Sequence, residues 1–88
     1  MHGFEWSKRK DAVLKKERGI SFDEAVLEIA EERLLDMLVN INHPGQIIYV
    51  IRLKGYVHCV PAVIEKNVIR LITIYPSRKM NNRYKEFS

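Results

Sequence analysis

A single cysteine, Cys59, among 88 residues leaves no partner for an intrachain disulfide and fits a reducing compartment. No stretch approaches the roughly 18 uninterrupted apolar residues that a membrane span needs, so no membrane association is expected. The first residues lack the apolar core of a secretory signal, because Trp6 runs directly into Ser7, Lys8, Arg9, Lys10 and Asp11. A cytoplasmic location is the expectation. Repeats, low-complexity tracts and linkers are missing as well, which predicts one domain over residues 1–88. Paired metal-ligand spacings of the C-x-x-C or H-x-x-x-H kind do not occur, and the adjacent His58 and Cys59 would point to opposite faces of a strand. No metal or cofactor is therefore expected.

What is present is a basic chain with a core. Hydrophobic residues make up 47% of the composition, enough to cover one sheet with helices, and the formal charge is +4. That charge is unevenly spread. Residues 7–18 hold six Lys or Arg against two acids, residues 21–36 hold six acids against Arg33 alone, and residues 65–88 again hold six cations against two acids. Two basic segments flank an acidic one, a field that could steer a nucleic acid to one face and a basic partner to another. Electrostatic packing of neighbouring helices would produce the same pattern.

The elements follow from periodicity and punctuation. Gly3 to Trp6 reads as a short edge strand or an aromatic anchor. Ser7 caps a helix to about Arg18, where Gly19 supplies a left-handed stop. Ser21 and Glu24 form a capping box, and Phe22, Val26, Ile29 and Ala30 make one apolar stripe along a second helix. The period then changes. Strands are predicted over Leu35 to Asn40, Ile47 to Leu53, Tyr56 to Ile64 and Val68 to Tyr75, with Lys54-Gly55 as a two-residue turn and Glu65, Lys66 and Asn67 as the next. Short connections imply an antiparallel meander. The expected fold is α+β: two N-terminal helices packed on one face of an antiparallel sheet of about four strands, then a short C-terminal helix.

The richest segment joins the last strand to that helix, I-Y-P-S-R-K-M-N-N-R-Y over Ile74 to Tyr84. Pro76 ends the strand, Ser77 can cap, and the helix carries Arg78, Lys79, Arg83, Tyr84 and Lys85. At 3.6 residues per turn these cations cannot all face one way, so part of the charge is free for a polyanion. Cations at a helix C-terminus are also favoured by the macrodipole without any ligand. Both explanations stay open on these residues.

In order and spacing the chain resembles the BrnT-like toxins of bacterial type II toxin–antitoxin systems, small proteins of the RelE-type ribonuclease fold within the RelE/ParE-like superfamily. The likeness begins at Phe4, Glu5 and Trp6 and the helix bearing Lys8 and Lys15. It continues through Arg18, Gly19, Ile20, Ser21 and Phe22 into Glu24 and Ala25, and ends in Arg70 to Ile74 and the terminal helix with Arg83 and Tyr84. Two departures stand out. Arg18 occupies the place of a usual histidine, and Tyr75 that of a usual arginine, which is either displaced to Arg78 or lost.

The resemblance implies a metal-independent endoribonuclease that acts on RNA, in some cases on the ribosome. It also implies a cognate antitoxin, commonly a DNA-binding ribbon-helix-helix protein. Such cleavage needs a base for the ribose 2′-hydroxyl, cations for phosphate and a donor for the leaving oxygen. The catalytic candidates are Arg78, Arg83, Tyr84, Arg70 and His58, and the RNA-binding candidates are Lys79, Lys85, Tyr75, Lys8 and Lys15. His58 depends on register: a two-residue turn at Lys66-Asn67 sets it opposite Tyr75, and a three-residue turn does not. His43 in a Pro-Gly turn and the terminal His2 are expected bystanders. Cys59 is expected in the core, and Glu28 with Glu31 or Glu32 forms either a solvated face or a docking face. A non-catalytic RNA- or antitoxin-binding module of the same fold, and a toxin directed at a protein such as gyrase, are the competing functional readings.

Overall fold

The structure is a computed structural model that describes residues 3–31 and 33–84. In chain order the elements are β1 (Gly3–Glu5), α1 (Lys8–Arg18), α2 (Phe22–Ala30), β2 (Asp36–Val39), β3 (Gln46–Leu53), β4 (Tyr56–Glu65), β5 (Val68–Leu71), β6 (Tyr75–Pro76) and α3 (Arg78–Tyr84). Ser7 accepts from the Lys10 amide to start α1, and Gly19, at φ 65°, closes it through bonds to the Leu14 and Lys15 carbonyls. Both halves of the Ser21–Glu24 capping box form at α2. The two helices are also tied through Asp11, which is buried and accepts from the Phe22 amide at 2.9 Å.

The sheet runs β1-β5-β4-β3-β2, with β6 paired to β4. The meander is antiparallel and the Lys54-Gly55 turn is in place, both residues at positive φ (52° and 77°), as a twisted two-residue hairpin requires. The expectation of a four-stranded, wholly antiparallel sheet is corrected in one respect: β1 runs parallel to β5, Phe4 beside Ile69 and Glu5 beside Arg70, so the sheet is mixed and larger. Only strands joined by short turns have their direction fixed by connectivity. The helices that follow β1 free it from that rule. The Cα radius of gyration, 12.5 Å, is close to the roughly 12 Å expected for a compact chain of this length.

The sheet is covered on both faces. Tyr49, Ile51, Leu53, Val60, Ala62 and Leu71 meet Leu14, Phe22 and Ala25 of α1 and α2. On the other face Val50, Val57 and Cys59 pack with Leu38, Met80 and Tyr84, so α3 lies across the sheet from the first two helices. The expectation of helices on one face fails for this reason. The uninterrupted apolar run Ile47 to Ile51 already marks a strand buried on both sides. In α2 the buried positions are Phe22 and Ala25, whereas Ala30 is exposed at the helix end.

A register shift delivers the chain to that second face. The Lys66-Asn67 turn has two residues, Glu65 pairing with Val68, and the pairing holds to Leu71 opposite Ala62. Three residues, Ile72 to Ile74, then span the two residues Val60 and Pro61, and pairing resumes with Tyr75 opposite Cys59 and Pro76 opposite His58. One extra residue makes a β-bulge, and it exchanges the faces of everything after it.

Candidate nucleic-acid interface

α3 is built onto the sheet by its own capping chemistry. Ser77 donates its amide to the Val57 carbonyl (3.0 Å), while its hydroxyl accepts from the Met80 amide (3.2 Å). Asn81 Oδ1 accepts from the Val57 amide at 3.0 Å, and Arg52 Nη2 donates to the Tyr84 carbonyl at 3.0 Å. The Tyr84 hydroxyl donates to Asp36 Oδ2 at 2.5 Å, and the Met37 amide donates to Asp36 Oδ1 at 2.8 Å. With about 100° between successive residues, Met80, Asn81 and Tyr84 share the docked side, and Arg78, Lys79 and Arg83 fall on the exposed one. Arg78 and Lys79 have no ion-pair partner within the described residues, and the Arg83 guanidinium lies 5.8 Å from the Tyr84 ring centroid.

The electrostatics fix protonation states. The Tyr84 hydrogen bond, then the Met37 amide, holds the Asp36 carboxyl below its ordinary value, while the same bond to Asp36 raises the Tyr84 phenol. At neutral pH the pair is therefore a carboxylate and a protonated phenol. Burial raises the Cys59 thiol, and burial followed by the neighbouring Cys59 raises the Tyr75 phenol.

The other sequence candidates scatter. His58 faces α1 and α2, is 7% exposed, and lies with Nδ1 2.9 Å from the Tyr56 carbonyl and the Tyr56 ring edge-on at 6.1 Å. Burial depresses its basicity, the Tyr56 carbonyl opposes that, and the positive charge of Arg18 adds to the depression. The bulge sets it opposite Pro76, and the sheet separates it from α3; it does not join Tyr75. Arg70 is on the α3 side of the sheet but at the far end of β4, opposite Val63, six residues or roughly 20 Å of strand from Val57. It sits between Glu5 (3.6 Å) and Glu65 (3.3 Å). Lys15 pairs with Asp11 at 3.1 Å and neutralises the carboxylate that joins α1 to α2. Lys8 is exposed in the first turn of α1, Tyr75 is 40% exposed next to α3, and Lys85 lies outside the described residues.

Arg52, Asp36 and Asn81 are the site residues that sequence reasoning missed. Arg52 had a signal, being the one charge inside the run Ile47 to Leu53. Asp36 had none, because its role depends on β2 lying beside β3. Just past the end of α2, Arg33 already answers Glu28 (2.8 Å) and Glu31 (2.6 Å), which reduces the free acidic face. Among the described residues no three His, Cys, Asp or Glu side chains converge as a metal site, and no helix is long and apolar enough to cross a membrane.

A separate open cleft of about 550 Å³ lies where β1 meets α1, lined by Phe4, Glu5, Trp6, Ser7, Lys8 and Arg70. No family model matches this chain, and no curated protein is similar to it.

Proposed function

We propose that this chain is the toxin of a type II toxin–antitoxin pair, a cytoplasmic endoribonuclease of RelE-like type that cleaves RNA without a metal and arrests translation until an antitoxin covers it. The observation that carries the reading is the exposed cationic side of α3, Arg78, Lys79 and Arg83, of which Arg83 lies 5.8 Å from the ring of Tyr84, itself hydrogen-bonded to Asp36. Arginine forks stay charged and match phosphate oxygens in pairs. A carboxylate sharing a proton with a phenol supplies the two other functions that RNA cleavage needs.

In this scheme the ribose 2′-oxygen attacks the adjacent phosphorus and the bond from phosphorus to the 5′-oxygen breaks. The products are a 2′,3′-cyclic phosphate and a 5′-hydroxyl. Arg78 and Arg83 hold the phosphate oxygens, with Lys79 on the flanking backbone. Asp36 takes the 2′ proton, Tyr84 gives its own to the departing 5′-oxygen, and the shared hydrogen bond returns the proton from Asp36 to Tyr84. His58 and Arg70 have no part in this step.

A second reading is a module of the same fold that binds RNA or antitoxin without turnover. It is favoured by the Tyr84 hydroxyl being engaged by Asp36 before any substrate arrives. Induction in a bacterial host separates the two. The toxin reading predicts growth arrest with fragmented RNA, and an adjacent small reading frame whose product relieves the arrest on co-expression. Arrest with intact RNA would favour the binding module or a protein-directed toxin.

A further inference from the structure

We propose that the cleft at the junction of β1 and α1 is a nucleotide subsite of the RNA-binding surface, in which a base stacks on Trp6 and its phosphate lies between Lys8 and Arg70. The inference rests on the RNA-directed reading above and adds a second contact point, remote from α3. At about 550 Å³ the cleft is within the size range of small-molecule sites.

Its walls divide by chemistry. Trp6 stacks on the fully buried Phe22, with centroids 5.8 Å apart and planes at 23°, so one face of the indole is anchored in the core. Trp6 as a whole is half-buried and lines the cleft. An aromatic side chain held in this way is a stacking platform for an unpaired base, which needs no sequence preference. Two cations, Lys8 from α1 and Arg70 from β5, line the same space from different elements.

Glu5 explains why the cleft is not simply an anion trap. Its carboxylate is 3.6 Å from Arg70, beyond hydrogen-bond length, and Glu65 holds Arg70 from the other side at 3.3 Å. All three side chains are about half exposed, and ion pairs of that kind exchange readily for a phosphate. Once Arg70 turns to phosphate, Glu5 is free to accept from a ribose hydroxyl. The alternating demands of a nucleotide, an apolar base, a hydroxylated sugar and an anion, thus meet Trp6, Glu5 and the two cations respectively. Arg70, with no role beside Tyr84, gains one here.

Trp6 is the only tryptophan in the chain, so its fluorescence reports on the cleft directly. Unlabelled 5′-phosphorylated tetra-adenylate is titrated into the parent protein, Lys8→Ala/Arg70→Ala and Arg78→Ala/Arg83→Ala, with circular dichroism to confirm equal folding. Anisotropy of a labelled copy measures total binding in parallel. The subsite predicts saturable quenching in the parent, at least ten-fold weaker in Lys8→Ala/Arg70→Ala, and retained in Arg78→Ala/Arg83→Ala. Binding by anisotropy with unchanged Trp6 emission would overturn the subsite and leave the RNA reading intact. Absence of both signals would also overturn it. Quenching that persists in a parent protein unable to cleave RNA would uphold the subsite while the ribonuclease reading fell.

Discussion

Tyr84, at the end of α3, donates its hydroxyl to Asp36, at the start of β2, across a separation of 48 residues. The bond joins α3 to the edge strand β2. Arg52 seconds it by holding the Tyr84 carbonyl from β3.

Removing that bond should loosen α3 without unfolding the sheet. Tyr84→Phe is expected to cost about 1 kcal/mol, below the roughly 1.5–3 kcal/mol of a buried bond to a charged acceptor because solvent screens the pair. Asp36→Asn in the same background should add little, as a double-mutant cycle in urea would show. Additive losses would mean that the two side chains act separately.

The pair also sets a pH window. Asp36 has a lowered folded pKa, so its contribution is present above the unfolded value of 3.8 and disappears as pH falls through the folded one. Tyr84 has a raised pKa, so its contribution is complete below 10.0 and disappears as pH rises through the folded value. Thermal unfolding of the parent minus that of Tyr84→Phe should be constant between those limits and shrink at both ends.

His58 gives a different slope. Its folded pKa is depressed by burial, so the stability it contributes is complete above 6.5 and is lost as pH falls through the folded value. His58→Gln should flatten the decline in melting temperature below pH 6.5. An unchanged slope would show that the ring is hydrated.

Deleting Thr73 removes the extra residue of the bulge. Two residues, Ile72 and Ile74, would then match Val60 and Pro61, so regular pairing from Leu71 keeps Tyr75 opposite Cys59 and Pro76 opposite His58. α3 should stay docked on Val50, Val57 and Cys59, with the near-ultraviolet dichroism of the parent retained. Loss of that signal would mean that the bulge geometry itself, and not the register alone, seats α3.

The Lys54-Gly55 turn has a lysine at φ 52° where asparagine is preferred. Lys54→Asn should stabilise by about 0.5 kcal/mol, since the 3.8 Å contact from Lys54 to Glu24 that it gives up is exposed. Urea unfolding checks the sign.

Local signals were legible in the sequence wherever the physics is local. Ser7, Gly19, Ser21 with Glu24, and Lys54-Gly55 each specify a cap or turn through their own backbone preferences, and the structure uses all of them. The length of the next turn stayed open between two and three residues, and the pairing of Glu65 with Val68 makes it two. What escaped was the bulge at Ile72 to Ile74, because a strand of apolar and β-branched residues carries no mark where one of them is left unpaired. That single residue decides which face receives α3, and hence that Tyr84 meets Asp36 and not His58. The cationic ridge was visible as composition, but its confinement to one side of α3 required knowing that Met80 and Tyr84 face the sheet.

The central claim, that α3 handles phosphate during metal-free RNA cleavage, is tested most directly by incubating the purified protein with total bacterial RNA in chelator. Arg78→Ala/Arg83→Ala of equal foldedness is run alongside, with and without ribosomes. Fragments ending in 2′,3′-cyclic phosphate with the parent, and at least a hundred-fold fewer with the variant, are the predicted result. Intact RNA with both, or equal cleavage by both, would contradict it.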